Sequence, residues 1–462
     1  MGTSNGKSAV ADRTTGGIMK PLISFSIPIM LTNMLQLLFN VADTIVVGQF
    51  GSENAVGAVG STTVIINLLI NLFTGISIGA TVVLSNEIGA NSTDKAKTVH
   101  TTYAFGILFG LISAAVGLLI SKPVLELLGT PSQIIDKATL YLRIYFIGQP
   151  GFMIYTFARA ILISTGETKA PMYYLTAAGV INIALNLLFV CVFKLDVAGV
   201  AIATIVSQLV SGVLTTRKLR KFTGDFHLSF SQIHIYKEKA RAIIRLGLPS
   251  GIQSSIFSIA GMTIQSSVNS LGAVVVDGNS AASSLNNFAF QSMSAFAQGA
   301  MTFSGQNYGA KKYNRLGKVF RSTVICQMAM GVGIAVLVLL AGPSLLKIYL
   351  PDSPEARDAG VVAMQMMMSF CFLCGLQDST SNMLRGMDRS TLPMITTIIG
   401  NCGLRVVWAV YVFSKIKSRF DTLTSFRWLM AAYPLTWAFT FVVNLIIYLI
   451  VLKKLKNTQK NK

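Results

Sequence analysis

Asn86-Glu87-Ile88-Gly89-Ala90 returns 220 residues later as Gln306-Asn307-Tyr308-Gly309-Ala310. Alone, that echo would say little. Two further landmarks recur around it in the same order. Ile27-Pro28 opens an apolar run closed by Gln49-Phe50-Gly51, and Leu248-Pro249 opens another closed by Ser270-Leu271-Gly272. Thr165-Gly166-Glu167-Thr168-Lys169-Ala170-Pro171-Met172 comes back as Arg385-Gly386-Met387-Asp388-Arg389-Ser390-Thr391-Leu392-Pro393-Met394, two residues longer. Three landmarks at a nearly constant offset mark an internal duplication. A duplicated apolar chain is expected to form two lobes with a site between them.

Composition sets the solvent. Of 462 residues 52% are hydrophobic and 12% charged, with mean hydropathy +0.61. A soluble domain carries about 25% charged residues, so the chain reads as a polytopic membrane protein. The 38 Lys and Arg against 18 Asp and Glu give +20. This excess reads as basic loops retained in the cytoplasm. Basic clusters with interleaved aromatics are absent, so no nucleic-acid partner is expected.

Cys191, Cys326, Cys371, Cys374 and Cys402 all lie in apolar segments, so no disulfide framework is indicated. Cys371 and Cys374 have redox-motif spacing but read as small core residues. His100, His227 and His234 sit at loops or span ends, without a metal-ligand pattern. Neither a metal set nor a Ser-His pair is visible, so no enzyme and no cofactor are expected. The first 20 residues are polar and show no signal-peptide pattern. Gly6 stands where a myristoylation motif needs Ser or Thr.

Twelve apolar stretches are long enough to cross a bilayer as helix, which takes roughly 20 residues. They are expected near 21–48, 55–84, 99–120, 134–164, 171–193, 197–217, 243–271, 277–304, 318–341, 356–385, 391–414 and 428–452. The fold class is thus an all-α membrane protein of twelve transmembrane helices in two pseudo-symmetric six-helix lobes. Six spans per copy is even, which makes the repeat parallel rather than inverted. The expected organisation is a tail 1–17, a lobe 18–217, a basic linker 218–242, a lobe 243–452 and a basic tail 453–462.

Loop charge sets the orientation. With both termini inside, most Lys and Arg fall on the cytoplasmic side, the largest block being Arg217, Lys218, Arg220, Lys221, Lys237, Lys239, Arg241 and Arg245. The expected location is the inner or plasma membrane, multi-pass, with the protein a monomer. The loop 415–427, assigned outside, carries Lys415, Lys417, Arg419 and Arg427. It is an exception to a bias, or a contact for an anionic solute or headgroup.

Ionisable residues inside spans need a reason, since each costs about 3 kcal/mol or more there. Asp43 lies deep in span 1, and helical spacing puts Gln36 and Asn40 on its face. A carboxylate stripped of water there can exchange a proton or hold Na⁺ through oxygen ligands; alternatively it fixes packing by pairing with polar neighbours. Asn182 and Asn186 share a face of span 5, and Thr204 on span 6 adds a hydroxyl. One carboxylate, two amides and a hydroxyl make a hard oxygen set suited to a small cation; polar residues also glue helices together. Asp378 in span 10 has Arg385 and Arg405 as candidate partners, or attracts a cationic solute. Met364, Met366, Met367 and Met368, like Phe288, Phe290, Phe296 and Phe303 of span 8, line a cavity or pack a core. Gln265 and Gln377 complete the polar residues expected to face a substrate. Glu87 and Glu167, beside Gly89 and Gly166, read as parts of turns that glycine permits.

These residues resemble the multidrug and toxic compound extrusion (MATE) transporters. The likeness is carried by Asp43-Thr44-Ile45-Val46-Val47-Gly48 at the end of span 1 and by the Ile88-Gly89-Ala90 and Tyr308-Gly309-Ala310 turns. The Gly166 to Pro171 and Gly386 to Pro393 turns and the Asn182 to Asn186 motif add to it, from about residue 18 to 452. The resemblance implies a secondary antiporter driven by Na⁺ or H⁺ that exports amphipathic, often cationic compounds by alternating access. It implies that Asp43 is the coupling residue, with Asn182, Asn186 and Thr204 as its partners. Many members carry Asp where this chain has Asn186, which tells against a proton relay between two acids. One branch has a glutamate midway along span 7, where Phe257 falls here among Ser254, Ser255 and Gln265. That branch's span-10 acid falls nearest Cys374, one turn before Asp378, so its second cation site is not carried over. The rival within the same wider superfamily is a flippase for lipid-linked sugars, which needs a cationic central cavity; Arg405 and Arg159 are the basic residues available inside spans. An intramembrane enzyme would need converging catalytic groups, and a passive channel would work without any ion gradient.

Overall fold

The structure is a computed structural model that describes residues 11–52 and 54–461. The tail residues 1–10, with the Gly2 and Gly6 positions, lie outside the described residues.

In lipid every backbone polar group must be satisfied internally, which favours helix wherever the chain is apolar. Every regular element among the described residues is helical. Span 1 is Met19–Phe50, span 2 Ala55–Gly89, span 3 Lys95–Leu127, span 5 Lys169–Val192 and span 6 Asp196–Arg220. In the second copy, span 7 is Lys237–Asn269, span 8 Ala273–Gly309, span 9 Tyr313–Tyr349, span 11 Thr391–Lys417 and span 12 Thr422–Lys460. Span 4 is broken into Ser132–Ile147 and Gln149–Thr165, bent by 47°, and span 10 into Pro354–Met368 and Cys371–Gly386, bent by 42°. Among the described residues eight helices are long and apolar enough to cross a membrane, or ten if each bent pair counts as one span. Spans 7 and 8 are long enough, at 33 and 37 residues, but carry too many Ser, Asn and Gln to qualify by apolarity.

The repeated turns are built alike, with one correction. After span 2 the left-handed residue is Asn91, φ 49°, and after span 8 it is Lys311, φ 56°. Gly89 and Gly309 are the last residues of their helices, so the turn does not use their freedom. Gly166 does use it, with φ 90°, and its equivalent turn passes that role to Asp388 at φ 65°. The two extra residues of the second turn account for the change. Glu167 closes its turn by accepting from the Lys169 and Ala170 amides.

The chain forms two compact units, Leu31–Gly251 and Arg13–Met30 with Ile252–Lys462. Relative to lobes of 18–217 and 243–452, two half-spans exchange. Glycines supply the reason. A Cβ on Gly75 would lie 2.1 Å from the Gly251 nitrogen, and one on Gly79 would lie 2.2 Å from the Ile243 carbonyl oxygen and 2.5 Å from the Gly247 nitrogen. The pairs Gly75/Gly79 and Gly247/Gly251 therefore interlock backbone to backbone, the close approach that small residues four apart permit in membranes. They hold the first half of span 7 in the first unit. In the second unit, a Cβ on Gly299 would meet Ser26 Oγ at 2.7 Å and Leu22 Cδ1 at 2.8 Å, so span 8 receives the first half of span 1.

Each unit has its own core. In the first, Val46, Ile65, Tyr141, Leu142, Phe146 and Val200 pack together. In the second, Met364, Met367 and Met368 pack with Val268, Phe426 and Trp437, and Met366 and Phe290 border them. The span 10 methionines are thus largely core residues.

Candidate functional site

Span 1 carries Asp43 on one polar face with Gln36 and Asn40, and spans 5 and 6 bring the rest. Asn186 Nδ2 donates to Asp43 Oδ1, and also to Asn182 Oδ1 at 3.2 Å. Asn182 Nδ2 reaches Thr204 Oγ1 at 3.5 Å, and Thr204 Oγ1 reaches Asp43 Oδ2 at 3.4 Å. Four side chains from three helices close a ring. The spacing of two amides four residues apart makes this possible, because both then point from one face of span 5. Directly after Asn186 the backbone widens into a π-helix, Leu187–Val192; such segments often mark functional sites.

Asn182 and Asn186 are buried, Asn186 completely. The Asn186 Oδ1 atom is buried with no hydrogen-bond partner. A buried acceptor left unpaired costs about 1–3 kcal/mol. In the ring Asn186 turns its Nδ2 to the Asp43 and Asn182 oxygens, so the oxygens that face the cavity are those of Asp43, Asn182 and Thr204, donor types that alkali and alkaline-earth ions take.

The ring opens on a cavity of about 60 Å³ lined by Gln36, Asn40, Asp43, Asn182, Thr204 and Gln208, among others. One water takes about 30 Å³ of liquid and a drug-sized ligand needs roughly 300–1,000 Å³. The space therefore suits an ion with a water or two. Gln36 and Asn40, expected to face substrate, lie in this ion-sized space beside Asp43. Ser207, Gln208 and Ser211 also line it. They were legible as one stripe with Thr204, spaced three and four apart on span 6, and the sequence reading passed over them. Phe39 closes one wall by pressing on Gly179, where a Cβ would lie 1.8 Å from the ring.

The remaining candidates fall in three separate contacts of the second unit. Gln265 donates to Asn269 Oδ1 at 2.9 Å and accepts from Asn279 at 3.4 Å. Gln377 is buried and accepts from Asn401 at 3.0 Å. Asp378 Oδ1 accepts from Asn382 at 3.1 Å, and Asn382 Oδ1 accepts from Arg385 at 3.1 Å. Of the two arginines considered for Asp378, the amide therefore links it to Arg385, which also donates to Gln253 at 2.7 Å. Arg405 is held elsewhere. It donates to Thr436 at 3.1 Å and lies 4.3 Å from the Tyr433 ring centre and 5.4 Å from that of Phe257. Phe288 is half-buried on span 8.

At the basic end, Lys239 pairs with Glu87 at 2.8 Å and with Asp94 at 3.2 Å. Glu87 also accepts from Thr98 at 2.9 Å, so it clasps the start of span 7 to the turn after span 2.

A family model described as MatE matches residues 28–188 and again 249–411, once in each copy of the repeat. The chain belongs to the MatE family. Its relatives include the probable multidrug resistance protein YpnP of Bacillus subtilis, 29% identical over 412 residues, 88% of this chain and 90% of that one. The probable multidrug resistance protein NorM of Thermotoga maritima is 25% identical over 390 residues, 83% of each. Among solved structures, a MOP superfamily transporter from Pyrococcus furiosus matches with TM-score 0.89 at 20% identity, covering 98% of this chain and all of that one. The same scores join this MatE chain to an outward-facing multidrug resistance MATE family transporter. At that identity the structural match shows the fold, that of twelve-helix transporters in two lobes.

Proposed function

We propose that this MatE transporter is a secondary active exporter of amphipathic, often cationic compounds, working in antiport with Na⁺ or H⁺. The observation that carries the reading is the ring of Asp43, Asn186, Asn182 and Thr204, three of whose members, Asp43, Asn182 and Thr204, line an ion-sized cavity. A carboxylate is costly to keep inside a membrane span, and a coupling ion gives it a use. Antiport requires the ion and the exported solute to bind the two access states differently. The names of the curated relatives, which refer to multidrug resistance and export, support the solute class. The basic linker and tail support an orientation with both termini in the cytoplasm.

The test is efflux of a fluorescent cationic dye from proteoliposomes, with Na⁺ and pH gradients imposed separately. The expected result is efflux driven by one gradient and abolished by Asp43→Asn, with the variant still folded. Active efflux retained in Asp43→Asn would overturn the assignment. Pyrophosphate-lipid binding without dye efflux would favour a flippase instead.

A further inference from the structure

On the first unit, away from the Asp43 ring, spans 3, 4 and 6 enclose a groove of about 600 Å³. Its floor exists because two glycines meet: a Cβ on Gly212 would lie 2.9 Å from the Gly151 carbonyl oxygen, and one on Gly151 would lie 2.8 Å from Leu209. Leu209 and Val213 run along one side, four residues apart and exposed. One further turn along the same helix come Arg217 and Arg220, then Lys221. From Leu209 to Arg217 is roughly 12 Å at 1.5 Å per residue. The groove is thus apolar along its length and cationic at its mouth.

The mouth is built as well as charged. The linker folds back on span 6 when the Leu228 amide donates to the Leu219 carbonyl at 3.3 Å and the Ser229 amide to His100 Nε2 at 3.2 Å. This sets Phe230 on the rim, and the Arg220 guanidinium lies 4.8 Å from its ring centre. Tyr103, bonded to Thr216 at 3.0 Å, backs the same rim. The nearby acids are committed elsewhere: Asp225 to Lys95 at 3.2 Å and Glu167 to Lys218 at 3.6 Å. Among the described residues Arg217, Arg220 and Lys221 pair with no carboxylate. Basic residues in a last turn favour the helix dipole, but that does not call for an apolar groove below them or an aromatic rim beside them.

We propose that this groove binds one anionic phospholipid from the leaflet on the linker side. Its phosphate lies among Arg217, Arg220 and Lys221, and one acyl chain runs along Val213 and Leu209. The volume is that of a small-molecule site, and basic pockets between membrane helices take anionic headgroups. The bound lipid ties the linker to span 6, since Phe230 and Arg220 belong to one each.

The experiment measures binding of fluorescent phosphatidylglycerol and phosphatidylcholine analogues to the full chain in neutral detergent. Three basic groups, at about fivefold each, give the anionic lipid an advantage on the order of 100-fold. Arg217→Gln with Arg220→Gln and Lys221→Gln should remove that advantage. Val213→Trp, which fills the groove and keeps every charge, should lose the lipid while thermal stability stays as in the wild type. All four side chains are exposed, so the fold should tolerate the changes. Equal binding of the two lipids by the wild type would overturn the proposal, as would undiminished selectivity in the triple variant. Unaltered binding by Val213→Trp, with displacement by millimolar inorganic phosphate, would reduce the site to a bare anion site and refute it too.

Discussion

Gly75→Ala adds one methyl group at the tightest point of the first unit. Its carbon would lie 2.1 Å from the Gly251 nitrogen and 2.2 Å from the Gly251 Cα, where ordinary contact is 3.4–4 Å. The obstacle is backbone, so no rotamer change can relieve it. Spans 2 and 7 would have to separate by more than an ångström along the whole Gly75–Gly79 interlock. Forcing a methylene into a close-packed interior costs about 1–3 kcal/mol, and the lost contacts between the helices add to this. Against it stands the helix preference of Ala over Gly, about 1 kcal/mol. The control is Gly333→Ala in span 9, where a Cβ meets nothing within 4 Å. That change receives the same helix preference and carries no clash.

The assay is thermal unfolding of both variants in one detergent, together with dye efflux at a fixed lipid ratio. Gly333→Ala should melt with or slightly above the wild type. Gly75→Ala should melt lower by about 4–8 °C, taking some 2 kcal/mol and a unit of roughly 200 residues. Gly75→Leu should melt lower still. If Gly75→Ala melts with Gly333→Ala, spans 2 and 7 do not meet backbone to backbone, and the division of span 7 between the units is wrong.

Asn186→Asp sets a second carboxylate directly against Asp43; two carboxylates in contact share a proton, so efflux should acquire a steeper dependence on pH than the wild type, and an unchanged profile would refute the contact. Arg405→Met replaces a buried guanidinium, which among the described residues has no carboxylate beside it, by an apolar side chain; a buried charge without an opposite charge is costly, so the melting temperature should hold or rise, and a fall of several degrees would show that its contacts with Thr436, Tyr433 and Phe257 are needed for the fold. The Asp94 carboxyl is held below its ordinary value of 3.8 by hydrogen bonds from Lys97 and Lys239. A depressed carboxyl stabilises the folded state above its unfolded value and loses that contribution as pH falls through the folded one. Protection of the amides at 87–94 and 237–240, taken relative to their intrinsic exchange at each pH, should therefore be flat from pH 5 to 8 and fall below about pH 4; a fall in protection near neutrality would refute the clasp.

Where the spans lie was legible, because lipid leaves an apolar chain few options besides helix. The ring of Asp43, Asn182, Asn186 and Thr204 was legible for a different reason. Asn182 and Asn186 sit four apart, Asp43 is isolated in apolar surroundings, and helical geometry turns such spacings into faces. The stripe of Thr204, Ser207, Gln208 and Ser211 obeys the same rule and needed only to be read past its first member. The breaks in spans 4 and 10 were harder. Pro150 follows the first break, but span 10 bends between Met368 and Cys371 where no proline stands, so sequence offers no local signal. Asp378 was ambiguous between two arginines because linear distance says nothing about Asn382, the side chain that links it to one of them.

The exchange of half-spans has a signal that only the repeat reveals. Gly79 and Gly299 stand 220 residues apart, at the offset of the Gly-Ala turns. Gly79 receives Ile243 and Gly247 of span 7, and Gly299 receives Leu22 and Ser26 of span 1. These partners are themselves equivalent, each pair lying just before its proline, Pro28 or Pro249. Proline removes one helical hydrogen bond and crowds the preceding turn, so a helix bends there at least cost. In both copies the chain passes from one compact unit to the other within three residues of that proline. The duplication therefore preserved a device: a small-residue seat for the first half of the helix, and a proline where that half ends. The copies differ in what the seat is made of. Span 7 is gripped backbone to backbone by two glycines on each side, whereas span 1 meets Gly299 through the buried side chains of Leu22 and Ser26. Span 1 is also the helix that carries Asp43. The seat made through side chains thus belongs to the helix whose second half carries Asp43.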